Sequence, residues 1–126
     1  MGNPVVHFEV IGKDAKALQS FYRQAFDWEV GEPMEGLNNY ATAQPHGHVG
    51  IDGGIGGGME GYGGHVTFYV AVPNLEEALA KIHALGGTTV MPPDAIPAGA
   101  RIALFADPEG HVVGLVQPGP NEGVNR

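Results

Sequence analysis

From Pro4 to Val10 apolar and polar positions alternate, with Val6, Phe8 and Val10 on one side and Val5, His7 and Glu9 on the other. A period of two residues predicts a strand with one buried face. After Asp14 the period lengthens, and Leu18, Phe21, Tyr22, Ala25 and Phe26 form one helical stripe. The pattern predicts a helix capped by the Asp14 carboxylate, which can accept from an orphan amide. It also places Phe21, Tyr22 and Phe26 in the core. Short strands are expected over 28–33, 39–44 and 49–55, and the glycine-rich stretch 56–64 reads as a linker.

The pattern then restarts. Val66, Phe68 and Val70 alternate with His65, Thr67 and Tyr69, which predicts a second strand. Asn74 and Glu77 have the spacing of a capping box. Leu75, Ala78, Leu79, Ile82 and Leu85 follow as a helical stripe, and Gly86 and Gly87 supply the stop. Strands are expected over 88–91, 101–106 and 111–117, with a type I turn at 107–110 and an irregular, loose tail from Pro118. The order is β-α-β-β-β twice. Identity between the halves is thin, limited to matches such as Phe8 with Phe68 and Val10 with Val70, so the repeat is one of pattern.

Composition narrows the function classes. A chain of 126 residues has room for one domain. Its 21 Gly and 10 Pro argue for short elements and many turns rather than a helical bundle. No Cys is present, which excludes a disulfide scaffold, a thiolate metal site and a catalytic thiol, and fits a cytoplasmic location. A net charge of −8 without any basic cluster excludes nucleic acid and anionic membrane as natural partners. No apolar run approaches the ~20 residues that span a bilayer, and the first residues lack a signal-peptide layout. The glycines at 53–58 precede no Lys-Ser/Thr pair, so no P-loop is present, and the only serine, Ser20, sits on the predicted helix, which argues against a serine triad.

Several segments together carry a likeness: Val5-Val6-His7-Phe8-Glu9-Val10, Asp14, Phe21-Tyr22 and Phe26-Asp27-Trp28 in the first half. The second half adds Val70-Ala71-Val72-Pro73-Asn74, Ala84-Leu85-Gly86-Gly87, Phe105 to Gly110 and Gly114 to Gln117. In this order they span nearly the whole chain, and the sequence resembles the vicinal oxygen chelate superfamily of glyoxalases, bleomycin-resistance proteins and extradiol dioxygenases. The resemblance implies an α+β fold in which two βαβββ modules form a curved eight-stranded cup with both helices on its convex side. The modules would cover 4–55 and 65–117, joined by the linker 56–64. It also implies a homodimer.

Members commonly hold a divalent ion with four ligands. The resemblance places those positions at His7, within 51–54 (where Asp52 is the one oxygen donor), at Thr67 and at Gly114. Thr67 is a poor ligand and Gly114 has no donor. The expectation is therefore a small organic molecule held without metal, in a pocket lined by His7, Glu9, Tyr40, His65, Thr67, Tyr69, Arg101 and Gly114. Glu9 is the candidate catalytic group, provided apolar walls raise its pKa. The plainer reading leaves Glu9 solvated or paired with Arg101. The alternative function is a metal-dependent lyase, isomerase or dioxygenase binding zinc, nickel, iron or manganese through His7, Glu9 and His65. Trp28 and Tyr40 fit either a pocket wall or the core. His46, His48 and His111 read as surface residues.

Overall fold

Both halves of the repeated pattern are realised in the computed structural model, which describes residues 2–47, 49–96 and 99–119. His48 and the tail from 120 onward lie outside the described residues. The elements run β1 (Val5–Gly12), α1 (Ala15–Phe26), β2 (Glu29–Val30), a single 3-10 turn (Glu35–Leu37), β3 (Ala41–Gln44) and β4 (Gly53–Gly57). They continue with β5 (His65–Ala71), α2 (Leu75–Ala84), β6 (Thr88–Ala95), β7 (Arg101–Ala106) and β8 (Val112–Gln117). Among the described residues the chain is α+β, with eight strands and two α-helices. It divides into two compact units, Val6–Thr67 and Met1–Val5 with Phe68–Arg126.

In the first unit β1 runs parallel to β4, while β3 lies antiparallel to both β4 and β2. Asp14 accepts from the Ala17 amide at 3.1 Å, the predicted cap. The inward face of α1 is rotated from the apolar stripe. Ala15 and Gln19 are buried, and Leu18 and Tyr22 pack on Val10, Ala43 and Ile55. Phe21 and Phe26, expected in the core, are 60% and 58% exposed. The stripe misled because its fourth inward member is polar: Gln19 is invisible to a count of apolar residues. Trp28 joins this core, stacked on Tyr22 with ring centroids 5.5 Å apart.

A second departure concerns β4. The strand expected over 49–55 begins later and runs through the first part of the supposed linker. Glycine weakens a strand interior unless another group needs the space, and here two rings need it. A Cβ on Gly53 would stand 2.3 Å from Phe8, and one on Gly54 would stand 1.9 Å from the Tyr40 hydroxyl.

In the second unit β5 is parallel to β8, and β7 pairs antiparallel with β6 and β8. Asn74 caps α2 by accepting from Glu77 N at 2.9 Å. Leu75, Leu79, Ala103, Leu115 and Val72 form an aliphatic core, with Val70 packed against it. Of the alternating Val66, Phe68 and Val70, only Val70 behaves as expected. Val66 is 75% exposed and Phe68 42%. β6 continues four residues past its predicted end, through Pro92 and Pro93, with register shifts on either side of Met91 that accommodate residues lacking a ladder donor. The 107–110 turn forms as expected, closed by Gly110 N donating to Asp107 O at 2.8 Å.

Candidate functional site

The polar centre of the first unit is assembled around Tyr40. A tight loop leads into it: Met34 N donates to Tyr40 O at 2.9 Å, and Asn38 and Asn39 adopt left-handed backbone angles that Asn tolerates better than most residues. The buried Gln19 amide then donates to Asn39 O and to Ile55 O, each at 2.7 Å. These bonds pin the residue before Tyr40 and the residue between Gly54 and Gly56. The Tyr40 ring consequently lies over the two glycines, and a Cβ on Gly56 would stand 2.7 Å from it. Glu9 is the register partner of Gly54.

That placement delivers the Tyr40 hydroxyl to the outlet of β1. It donates to Glu9 Oε2 at 3.0 Å and lies 2.9 Å from His7 Nε2. A phenol has one proton, so His7 Nε2–H is the donor in the second bond. The other carboxylate oxygen, Glu9 Oε1, accepts from His65 Nε2 at 2.7 Å. His65 Nδ1 in turn accepts from the Tyr62 hydroxyl. The result is one chain of five groups: His7, Tyr40, Glu9, His65 and Tyr62.

Burial makes the chain consequential. The Glu9 and His65 side chains are 9% and 10% exposed, so their contact is an ion-pair geometry largely removed from water. Among the described residues no buried side-chain nitrogen or oxygen lacks a partner. Burial holds the His7 imidazole below its ordinary pKa of 6.5, against the opposing pull of Glu9 and Asp52. The Tyr62 phenol is raised above its ordinary value, by burial first and then by the Glu9 charge.

The residues expected to line a pocket are distributed over both units. His7, Glu9, Tyr40 and His65 come together, and Thr67 is buried on the same unit's stretch of β5. Tyr69 and Gly114 form a register pair in the second unit, and a Cβ on Gly114 would meet the Tyr69 ring at 2.5 Å. Arg101, in the second unit, binds Glu76 at the start of α2 and reaches the Gln117 side chain at 3.5 Å, while Gln117 accepts from Leu75 N. Glu9 is buried rather than solvated. Asp52 and His46 are exposed, and exposed His111 bonds Asp107 at 2.9 Å. Two members of the site escaped the sequence reading. Tyr62 lay in the supposed linker, where its one signal was an aromatic residue three before His65, and Gln19 sat unnoticed in an apolar stripe.

A divalent ion does not fit these residues as arranged. His7, Glu9 and His65 direct their donors at each other and at Tyr40 rather than at a common point, and no group of three acidic or histidine ligands converges among the described residues. At Gly114 an aromatic ring fills the space a ligand side chain would need.

A family model described as the Glyoxalase/Bleomycin resistance protein/Dioxygenase superfamily matches residues 5–115. Among curated proteins, the "Putative glyoxylase CFP32" of Mycobacterium bovis and that of Mycobacterium tuberculosis are 33% identical over 75 residues. The match covers 56% of this chain but only 29% of those relatives' length. Among solved structures, methylmalonyl-CoA epimerase from Mycobacterium tuberculosis gives a TM-score of 0.68 at 14% identity, covering 95% of this chain and 91% of that one. A glyoxalase/bleomycin resistance protein/dioxygenase superfamily member from Vibrio splendidus 12B01 gives 0.62 at 20%, covering 93% and 100%. At such identities these structures establish the shared fold.

Proposed function

The chain belongs to the glyoxalase/bleomycin resistance protein/dioxygenase superfamily, and from that premise we propose that it binds a small organic molecule at the polar cluster around Glu9 without a resident divalent ion. The observation that carries this reading is the hydrogen-bonded chain from His7 through Tyr40, Glu9 and His65 to Tyr62. Groups that would ligate a metal are spent on one another, while a buried carboxylate with aromatic hydroxyls beside it suits recognition of a neutral, hydrogen-bonding ligand. Thr67 belongs to the same polar lining. Tyr69, Arg101 and Gly114 lie in the other unit, and this reading does not depend on them.

The competing reading is a metal-dependent lyase, isomerase or dioxygenase. It is favoured by the presence of His7, Glu9 and His65 in one network, and it requires Tyr40 to withdraw. Metal analysis of protein purified without a histidine tag separates the two. The proposal expects no stoichiometric metal and no change in melting temperature on adding zinc, nickel, iron or manganese. Stoichiometric metal that is lost in His7→Ala would overturn it. A thermal-shift screen with small organic compounds should then find stabilising ligands whose effect disappears in Glu9→Gln. The proposed location is the cytoplasm, in keeping with a chain without Cys, and the proposed assembly is a homodimer, supported by the exposed Val66; light scattering should return twice the mass of one chain.

A further inference from the structure

Beyond ligand binding, the outer end of the chain has the connectivity of a general-base relay. The Tyr62 hydroxyl donates to one imidazole nitrogen of His65, and the other nitrogen donates to the buried Glu9 carboxylate. A hydroxyl, an imidazole and a carboxylate in that order remove a hydroxyl proton as the oxygen attacks an electrophile, and the carboxylate stabilises the imidazolium that forms. Tyr62 also lines a concavity of about 400 Å³ whose other walls include Gly12, Lys13, Met59 and Glu60. A phenol whose proton is held on by burial does not react as a free phenolate. It needs the neighbouring base.

We infer that Tyr62, His65 and Glu9 form an acyl-accepting relay, with the Tyr62 oxygen as nucleophile towards small activated esters that enter this concavity. In the step, the bond from Tyr62 Oη to the acyl carbon forms and the ester C–O bond breaks. The alcohol component leaves as its anion, and the phenolic proton passes to His65 Nδ1 and then to solvent. No redox partner is involved. The inference uses the same polar cluster as the binding proposal but needs no ligand identity and no statement about metal, so either can fail alone.

The test is acetylation by p-nitrophenyl acetate near neutral pH, with the rate at each tyrosine followed by peptide mass spectrometry. Tyr62 should be acetylated at least tenfold faster than Tyr22 in the same molecules. General-base assistance contributes about a hundredfold or more, so His65→Gln should bring Tyr62 down to the rate of Tyr22. Glu9→Gln keeps an acceptor for His65 Nε2–H but removes the charge, and should slow acetylation by an intermediate factor. Should His65→Gln fail to fold, judged by circular dichroism, Glu9→Gln and the wild-type comparison with Tyr22 still decide. Acetylation of Tyr62 no faster than Tyr22, or a wild-type rate in Glu9→Gln, overturns the relay.

Discussion

The two units share one element order and both lay a tyrosine ring on a strand glycine, yet the surroundings of the two rings differ. In Val6–Thr67, Tyr40 covers Gly54 and Gly56, and its hydroxyl meets Glu9 and His7. In the other unit Tyr69 covers Gly114, beside an aliphatic core of Leu75, Leu79, Ala103 and Leu115. A glycine opposite a ring makes room. What the room is used for depends on the cross-strand partner, which is a buried glutamate at Gly54 and Tyr69 itself at Gly114.

The largest expected effect comes from refilling that space in each unit. Gly54→Val and Gly114→Val would each drive a side chain into a ring, and overpacking of this kind should cost about 3 kcal/mol, read from urea unfolding. Only Gly54→Val should alter the titration of His7, followed by NMR. If Gly114→Val shifts that histidine equally, the contrast between the units is wrong.

Gln19→Leu is the next strongest perturbation. It leaves the Asn39 and Ile55 carbonyls without their side-chain donor, and an unmet buried hydrogen bond should lower stability by about 2 kcal/mol. The Tyr40 ring resonances should move while those of Tyr69 stay in place. An unchanged Tyr40 would show that β4 alone positions the ring.

The smallest effect separates the units by pH. The folded pKa of His7 lies below 6.5, so between that lowered value and 6.5 the unfolded chain binds the proton first. Stability is therefore full above about 6.5, falls as pH drops through this window, and levels off below the folded value. His7→Gln should remove that part of the slope. In the other unit Asp107 is held below its ordinary 3.8, first by the His111 amide. Its contribution is present above that value and is lost only in stronger acid. Denaturant midpoints measured across pH should resolve two windows, with His7→Gln flattening only the upper one.

Local rules were legible wherever the cause was local. The Asp14 and Asn74 caps, the 107–110 turn and the doubled element order follow from side chains acting on backbone a few residues away. The alternation also placed His7 and Glu9 on a different side from Phe8 and Val10, which pack in the core beneath α1. Failures came where a tertiary neighbour reversed a local preference. Among the described residues Phe21 and Phe26 leave most of their apolar area exposed, while the polar Gln19 is buried because two carbonyls await it. Gly56 extends a strand because the Tyr40 ring, not a side chain of its own, supplies the packing, and Gly57 lies against Asn38 O and Ala15.

The amino-acid sequence by itself determined the α+β element order, the helix starts and the residue types available to the site. Only the tertiary structure decided who meets whom. Glu9 and His65 stand 56 positions apart, and nothing in the spacing of either predicts their pairing. Their contact depends on how the chain folds back between them, and the loop after β4 then brings Tyr62 against His65. Burial then gives the cluster its chemistry, because a carboxylate away from water must be satisfied by nearby donors, and here those donors are His65 and Tyr40.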